Sequence, residues 1–468
     1  MTPFGRGNAC ARLAAVIAVV AGCSKDAPSP KLAPSVAPEP IASTKAPEPG
    51  VTPELSPAAP QSAPPPAAPQ SAPPPAAPPR DCNVILLSID SLRADMPWNG
   101  YKRPIAPHLT GMEAKAVSFT QAYSVSSYTS MSLGGLLAGR LPSELQRSGY
   151  FFGTYRNNVF FPQLLKKAGV RTMGVMAHFY FRGAGFDAGF DEWKIVPGVT
   201  YDANTDRDVT SAQSESVAEQ LLGAPANQSR RFFFWAHFLD PHDQYIRHEG
   251  IDWGPKARDL YDGEVTFTDG YLGKLVDFIS AQSWASRTVV IVTSDHGEEF
   301  GENDMWKHAF EVWEPLVHVP LFFIAPGLEP RHISTRRSAL DLAPTILDLF
   351  GLAVDPGMEG KSLVSEIYGA AGDERDVVVD LPMTSDSGRR RALLSGDEKL
   401  ICFDDDSRCK LYDLKTDPME KAGITKGAEY KAMKARYDSF NRSVKEVTPY
   451  ACGVDCLNAA YRKREGAP

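Results

Sequence analysis

Val84-Ile85-Leu86-Leu87-Ser88-Ile89-Asp90 is a short apolar run that ends in a carboxylate. A second run has the same form, because Thr288–Ser294 leads directly into Asp295-His296-Gly297. Runs of this length and composition are typical of central strands in a parallel sheet, which are buried on both faces. In open α/β sheets, ligands bind at the carboxyl ends of such strands. We therefore expect the two acidic ends to meet at one edge of a sheet, although about 200 residues separate them in the sequence.

Strand and helix patterns alternate through the body of the chain. This order predicts an α/β fold with a mostly parallel central sheet flanked by helices. The predicted strands are Val84–Ile89, Arg171–Ala177, Phe232–His237, Thr288–Ser294 and Val319–Ala325. The predicted helices are Phe161–Lys167, Asp208–Leu222, Leu260–Ile279 and Leu340–Phe350.

The pattern changes after about Asp376, where shorter elements follow one another closely. Four strands and one helix are predicted there, at Val377–Asp380, Arg391–Ser395, Lys399–Phe403, Lys410–Leu414 and Glu429–Val444. We therefore divide the folded body into a main α/β domain at 82–375, a small C-terminal α+β subdomain at 376–447 and a tail at 448–468.

The first 23 residues have the form of a signal peptide. Arg6 and Arg12 precede the apolar stretch Leu13–Val20, which is too short for a stable membrane span. Val20-Ala21-Gly22-Cys23 then resembles a bacterial lipobox, and the resemblance implies cleavage before Cys23 and lipidation of its thiol. The alternative is a secretory peptide in which Cys23 is incidental. A lipid on Cys23 would place the protein in a bacterial cell envelope, with the body periplasmic or surface-exposed, and the serine that follows favours the outer membrane.

Composition indicates a spacer and excludes one class of partner. Residues 24–80 are mostly proline, alanine and serine, and PQSAPPPAA occurs twice, at 60–68 and 69–77. Such a segment cannot bury a core and predicts a semi-rigid linker. Across the chain, 49 basic and 57 acidic residues give a net charge of -8, which argues against a nucleic-acid partner.

The cysteines fit an oxidising compartment. Cys402 and Cys409 flank a predicted turn between two short strands, so a hairpin disulfide between them is expected. Cys452 and Cys456 could pair locally, which would leave Cys82 without a partner. A cysteine metal site fits less well, because no neighbouring histidine completes a ligand set.

A hydroxyl-rich segment lies between the two acid-tipped strands, with the sequence Ser127-Tyr128-Thr129-Ser130-Met131-Ser132-Leu133-Gly134-Gly135-Leu136-Leu137-Ala138-Gly139-Arg140. Here the chain resembles the sulfatase branch of the alkaline phosphatase superfamily. Leu137-Ala138-Gly139 matches the end of the family's nucleophile motif, which places Thr129 at the nucleophile position. Further matches follow in order, at Ile89–Asp95, Ser118–Ser124, Asp240–His242 with Tyr245, Tyr261–Glu264, Ser294–Glu298, His308, Val319–Leu321, Asp341–Asp348, Leu411–Leu414 and Asp417–Pro418. The resemblance covers about Cys82 to Ala422, and implies the family's fold and action on an anionic ester.

The residue types themselves indicate a metal-assisted nucleophile. A hydroxyl beside a divalent cation has a lowered pKa, and a helix start favours the anionic group that the hydroxyl attacks. Thr129 supplies that hydroxyl. Together with Asp90, Asp295 and His296 it forms a mixed oxygen and nitrogen ligand set for one divalent metal ion. This set suits manganese or zinc better than calcium, which is the alternative.

The chain departs from the pattern of calcium sulfatases. Those enzymes typically carry a pair of acids on the first strand and Asp-Asn on the late one, whereas this chain has Asp90-Ser91 and Asp295-His296. True sulfatases also convert a cysteine or serine to formylglycine, and threonine cannot yield that aldehyde. Met131 and Leu133 replace the Pro and Arg of the maturation signature. The pattern is closer to threonine-nucleophile relatives that act on phosphodiesters through a covalent threonine intermediate.

Four histidines are candidates for proton transfer or for holding the anionic group. His242 and His308 are predicted to be catalytic from their motif positions, and His237 is a third candidate. His178 is predicted to bind substrate. For each of them, the alternative is a histidine at a strand end that only makes hydrogen bonds.

Three functions remain open from the sequence. The first is a metal-dependent hydrolase of phosphodiesters or phosphonate esters, or a transferase of the phosphoryl group, that acts through Thr129. The second is an arylsulfatase-like sulfuric ester hydrolase, in which Ser127, Ser130 or Ser132 would have to replace Thr129. The third is a catalytically inactive, lipid-anchored binding protein.

Overall fold

The computed structural model describes residues 81–149, 153–200, 208–384 and 387–449. The predicted signal peptide with Cys23, the linker and the pair Cys452 and Cys456 lie outside these residues. Within the described residues, the main sheet and the C-terminal sheet belong to one compact unit.

The described strands are, in chain order, β1 (Asn83–Ile89), β2 (Val117–Phe119), β3 (Ala122–Tyr123), β4 (Arg171–Met176), β5 (Glu192–Ile195), β6 (Phe232–Phe238), β7 (Thr288–Ser294), β8 (Glu299–Phe300), β9 (Trp306–Lys307), β10 (His318–Val319), β11 (Leu321–Ile324), β12 (Arg331–Ile333), β13 (Arg337–Ser338), β14 (Val377–Leu381), β15 (Arg390–Ser395), β16 (Glu398–Phe403) and β17 (Arg408–Asp413). The described helices are α1 (Pro107–Glu113), α2 (Thr129–Ala138), α3 (Phe161–Lys167), α4 (Ser211–Gly223), α5 (Pro225–Gln228), α6 (Ala257–Ser280), α7 (Glu314–Val317), α8 (Leu342–Leu349), α9 (Val364–Ile367) and α10 (Ala428–Asn441). Among the residues described, no helix is both long and apolar enough to cross a bilayer.

The main sheet has eight strands in the order β12-β2-β11-β7-β1-β6-β4-β5. The five strands from β7 to β5 run parallel to one another, while β11 is antiparallel to both of its neighbours. The prediction of a mostly parallel α/β sheet flanked by helices is confirmed. Both acid-tipped runs lie at its centre, because β1 and β7 are adjacent.

One predicted strand is wrong in extent and direction. The run Val319–Ala325 is divided at Pro320 into β10, which pairs with β3, and β11, which joins the main sheet antiparallel to β7. Proline has no backbone N–H to donate to a sheet ladder. Its carbonyl instead accepts a hydrogen bond from the hydroxyl of Thr293 at 2.9 Å.

Two apolar cores cover the two faces of the main sheet. Alternate side chains of β1 divide between them, with Val84 and Leu86 in one core and Ile85, Leu87 and Ile89 in the other. The first core contains the apolar residues of α2 and α8, and the second contains those of α4 and α6. This burial on both faces explains why β1 and β7 carry continuous apolar sequence rather than an alternating pattern.

The C-terminal segment forms the antiparallel sheet β14-β15-β16-β17, against which α10 packs. The predicted disulfide between Cys402 and Cys409 is present and links paired positions of β16 and β17. A buried ion pair lies within this sheet, because Arg391 Nε of β15 donates to Asp380 Oδ1 of β14 at 2.9 Å. The Ser143 amide donates to the other oxygen of that carboxylate and so connects the sheet to the main body.

The loop after β7 predicts a stability effect at Gly297. A Cβ at this position would lie 2.1 Å from the carbonyl oxygen of Pro315, whereas a Cβ at Gly270 in α6 would meet nothing within 4 Å. Gly297→Ala should therefore lower the free energy of unfolding by about 1–3 kcal/mol. Gly270→Ala, the matched control, should raise it by about 0.5–1 kcal/mol because it removes a helical glycine. Denaturant titration measures both, and a Gly297→Ala protein as stable as wild type would contradict the packing described.

Candidate active site

The register of three parallel strands brings the two acidic strand ends together. Ile89 of β1 pairs with Phe238 of β6 on one side and with Ser294 of β7 on the other. The residues that follow Ile89 and Ser294 are Asp90 and Asp295, so both carboxylates leave the sheet at the same level. With His296 they form a buried group whose potential ligand atoms all lie within 4.8 Å of one another.

Thr129 lies beside this group, at the first residue of α2. Its Oγ1 is 3.0 Å from His296 Nε2. The helix start is attached to the strand end, because Ser132 Oγ donates to the Asp295 carbonyl at 2.6 Å. The N-terminus of a helix also favours negative charge nearby. The predicted nucleophile and the three predicted ligands are therefore neighbours.

The hydrogen bonds around Asp295 and His296 leave Asp295 Oδ2 and His296 Nε2 available to a metal ion. The His296 Nδ1–H donates to the Gly297 carbonyl at 2.9 Å, which leaves the Nε2 lone pair directed into the site. Asp295 Oδ1 accepts from the amides of Ser91 and His296. Its Oδ2 is buried and has no hydrogen-bond partner. A buried carboxylate oxygen without a donor is costly unless a cation lies beside it, so these residues fit a divalent metal ion.

The charges of the site point to the same need for a cation. Burial and the adjacent Asp90 carboxylate raise the pKa of Asp295 well above its ordinary value. Burial also disfavours the charged form of Asp90, but His242, His237 and His296 outweigh it and lower the pKa of that carboxyl. Burial, reinforced by His308, lowers the pKa of His296 to about 3. His296 is therefore neutral near pH 7, which is the form that binds metals.

His308 and His242 lie close to the ligand group. The His308 ring centroid is 4.3 Å from that of His296 and 4.9 Å from that of His242. His308 Nδ1 is 3.1 Å from Glu298 Oε1, so the carboxylate orients the ring. His242 Nδ1 donates to the Asp243 carbonyl at 2.7 Å. Both predicted catalytic histidines thus belong to the cluster around His296, and their catalytic role stays a prediction.

The two remaining histidines occupy different positions. His237 is fully buried at the end of β6, and its Nε2 lies 3.2 Å from Asp90 Oδ2. This contact makes it a neighbour of a ligand rather than of an ester. His178 precedes a short 3-10 helix and accepts a hydrogen bond from the Tyr180 amide, and the ring of Phe181 contacts both its ring and that of His237. Its predicted role in binding substrate stays a prediction.

Sequence reasoning missed the residues that support the site. Glu298 was recognised as part of a motif, but its hydrogen bond to His308 was not predicted. Ser88 and Trp235, which stand behind His237, were assigned only to strands. Two-residue spacing from His296 could have drawn attention to Glu298. No comparable signal exists for Ser88 and Trp235, which are 147 residues apart.

This arrangement defines a class of protein, because a helix-start hydroxyl beside two carboxylates and an imidazole is suited to hydrolysis of anionic esters. Comparison with known families gives the particular family. The model described as Sulfatase matches residues 82–352, and the model described as N-sulphoglucosamine sulphohydrolase, C-terminal, matches residues 301–445. The chain belongs to the sulfatase family and has its α/β fold; members of that family are hydrolases that bind a divalent metal.

Individual relatives are distant. A choline-sulfatase of Rhizobium meliloti is 28% identical over 173 residues, which are 36% of this chain and 33% of the relative. A sulfatase of Formosa agariphila is 25% identical over 368 residues, 60% of this chain and 72% of the relative. The chain thus spans about a third of the first curated relative it matches. A phosphonate monoester hydrolase of Agrobacterium radiobacter superposes with a TM-score of 0.62 at 18% identity, over 77% of this chain and 95% of that one, which shows the shared fold.

The contact between Glu298 and His308 predicts a catalytic effect. Glu298→Ala should lower kcat by about 10- to 100-fold, part of the roughly 10²- to 10⁴-fold that a positioned acid contributes, because the imidazole loses its orienting partner. KM should change little. Steady-state kinetics on the ester that the wild type hydrolyses fastest measures both, and Glu329→Ala, at an exposed position, is the control. Unchanged kcat in Glu298→Ala would show that His308 does not depend on this carboxylate.

Proposed function

We propose that the protein is a metal-dependent hydrolase of phosphodiesters or phosphonate esters, with Thr129 as the covalent nucleophile. One observation carries this proposal. A threonine hydroxyl lies 3.0 Å from a ligand-type imidazole nitrogen, at the helix start where a sulfatase would need a cysteine or serine to form its aldehyde. Threonine keeps a hydroxyl nucleophile and cannot become formylglycine. The chemistry that remains is direct attack by the hydroxyl on phosphorus.

Asp90, Asp295, His296 and Thr129 would hold one divalent metal ion, with manganese or zinc preferred and calcium as the alternative. When bound, such an ion supplies charge stabilisation and lowers the pKa of a coordinated hydroxyl. The preference for manganese or zinc comes from the imidazole, since calcium favours an all-oxygen ligand set.

The residues of the chain then divide the reaction between them. Thr129 Oγ1 loses its proton to solvent and forms a bond to phosphorus, while the bond from phosphorus to the leaving oxygen breaks. His308 or His242 donates a proton to that oxygen, and the N–H groups of these imidazoles would contact the non-bridging oxygens. Water then attacks phosphorus and gives a proton to the histidine that had lost one, while the bond from phosphorus to Thr129 Oγ1 breaks and that oxygen takes up a proton from solvent. An acceptor alcohol in place of water would make the same intermediate a step of phosphoryl transfer.

The second candidate function is sulfuric ester hydrolysis, which the names of the curated relatives favour. It would require a neighbouring serine to replace Thr129. Two of them already have structural hydrogen bonds: Ser127 Oγ donates to the Glu311 carbonyl and Ser132 Oγ to the Asp295 carbonyl, both at 2.6 Å. Ser130 is buried. These contacts weigh against sulfuric ester hydrolysis.

A substrate panel tests the proposed function. The full chain, with manganese, zinc or calcium added, should hydrolyse bis-aryl phosphodiesters or aryl phosphonate esters faster than aryl sulfates. Thr129→Ala should lower kcat by roughly 10³-fold or more, as loss of a covalent nucleophile does. Ser127→Ala, the neighbouring control, should retain its activity. Turnover of sulfate alone would contradict the proposal, and failure to turn over any ester or bind any metal would favour an inactive binding protein.

We also propose that Cys23 carries a lipid and anchors the protein in the cell envelope, with 24–80 as a linker to the folded body. Lipidated wild-type protein should sediment with membranes, because a lipid contributes about 0.8 kcal/mol of membrane affinity per buried CH₂. Cys23→Ser should move the protein to the soluble fraction. Cell fractionation with mass spectrometry of the N-terminal peptide checks both, and an unmodified Cys23 in membrane-bound protein would contradict the assignment.

A further inference from the structure

A directed chain of hydrogen bonds stands behind Asp90. Trp235 Nε1–H donates to Ser88 Oγ at 2.8 Å, and that oxygen is 2.9 Å from His237 Nδ1. Because indole nitrogen can only donate, the serine oxygen is the acceptor, and its own hydrogen is available to Nδ1. His237 then carries its hydrogen on Nε2, which lies 3.2 Å from Asp90 Oδ2. Each donor in this chain fixes the orientation of the next group.

The chain is sealed inside the protein. Trp235, Ser88 and His237 are all fully buried. The ring of Phe181 packs edge-on against the imidazole, with 5.3 Å between centroids. A buried imidazole held at both nitrogens has one orientation, so it is suited to fix a neighbouring carboxylate and not to move with a substrate.

These hydrogen bonds determine which oxygen of each carboxylate can bind a metal ion. Asp90 Oδ2 accepts from His237, while Asp295 Oδ1 accepts from two amides. The remaining oxygens face His296 Nε2, with Asp90 Oδ1 at 3.7 Å and Asp295 Oδ2 at 3.5 Å. Asp295 Oδ2 has no hydrogen-bond partner, and Asp90 Oδ1 accepts from the Ser91 hydroxyl at 3.1 Å, a donor that can rotate away, whereas the buried ring of His237 is fixed. Each carboxylate therefore offers one oxygen, and His296 offers one nitrogen. Together with the Thr129 hydroxyl, the site provides four single-atom ligands.

Calcium and zinc differ in the number of ligands that they bind. Calcium takes six to eight oxygen ligands and often uses carboxylates through both oxygens, whereas zinc is satisfied by about four ligands that include imidazole. The second oxygen of Asp90 is one additional ligand that the site could give to calcium. The hydrogen bond from His237 occupies that oxygen and keeps it from the ion.

We infer that His237, held by Ser88 and Trp235, is a positioning residue that keeps Asp90 a one-oxygen ligand and so makes the site select zinc over calcium. This inference rests on the proposed metal site and not on which ester is cleaved. It assigns His237 to metal selectivity, whereas its sequence pattern had suggested a proton-transfer role.

Metal binding without substrate tests the inference. Equilibrium dialysis of the full chain, with elemental analysis, gives the Kd for manganese, zinc and calcium separately. His237→Leu removes the donor and should weaken zinc binding by about 10- to 100-fold, with calcium affected least, so that the zinc-to-calcium ratio of affinities falls. His237→Gln keeps an N–H donor and should restore much of that ratio. His332→Leu, at a histidine paired with Glu113 outside the site, is the control.

Several results would overturn the inference: an unchanged ratio in His237→Leu, an equal loss of all three ions, or a wild type that binds calcium most tightly or binds no ion. Circular dichroism establishes that each variant is folded. If His237→Leu does not fold, Ser88→Ala keeps the imidazole but removes the hydroxyl that fixes its tautomer, and it should lower the ratio in the same direction. Because no ester is present, failure of the phosphodiester assay would leave this measurement intact.

Discussion

The structure depends on two carboxylates that the sheet forces together. β1 and β7 are adjacent and in register, so Asp90 and Asp295 leave neighbouring strands at the same level and are both buried. Two buried like charges this close together are unfavourable, and burial together with the neighbouring Asp90 charge raises the pKa of Asp295. A divalent cation held between them would relieve the repulsion. The surrounding hydrogen bonds to Ser91, His237 and the amide of His296 keep both groups directed at a common point.

Separate contacts hold the hydroxyl of Thr129 beside the two carboxylates. Ser132 holds the start of α2 against the carbonyl of Asp295, and Gly297 allows the following loop to pass close to Pro315. That loop continues to Glu298, which orients His308. Asp295 and His296, together with the contacts that hold the start of α2 and the ring of His308, therefore share one short backbone segment after β7. A small shift of this segment would move all of them together, which is why the packing of Gly297 matters for chemistry as well as for stability.

The sequence predicted those parts of the fold in which a single pattern, such as the continuous apolar sequence of a buried strand, determines the structure. Thr288–Ser294 was predicted with its observed bounds because a buried parallel strand is apolar throughout. α6 begins at Ala257, before the predicted Leu260, since its first turn is charged and carries no apolar periodicity. The two-residue strands β8 and β9 were not predicted, because so short a ladder has no pattern. In the site, Asp90, Asp295 and His296 were found as strand ends, whereas the bonds from Trp235 through Ser88 depend on side-chain geometry between distant strands.

The central claim is that Thr129 bonds to the substrate's phosphorus. The most direct measurement is to quench the full chain during turnover of a phosphonate ester or phosphodiester and to map the modified peptide by mass spectrometry. We expect an adduct of the phosphorus-containing fragment on Thr129, and we expect this adduct to disappear as water releases the fragment. An adduct on Ser127, Ser130 or Ser132, or turnover that proceeds with Thr129 unmodified at every time point, would contradict it.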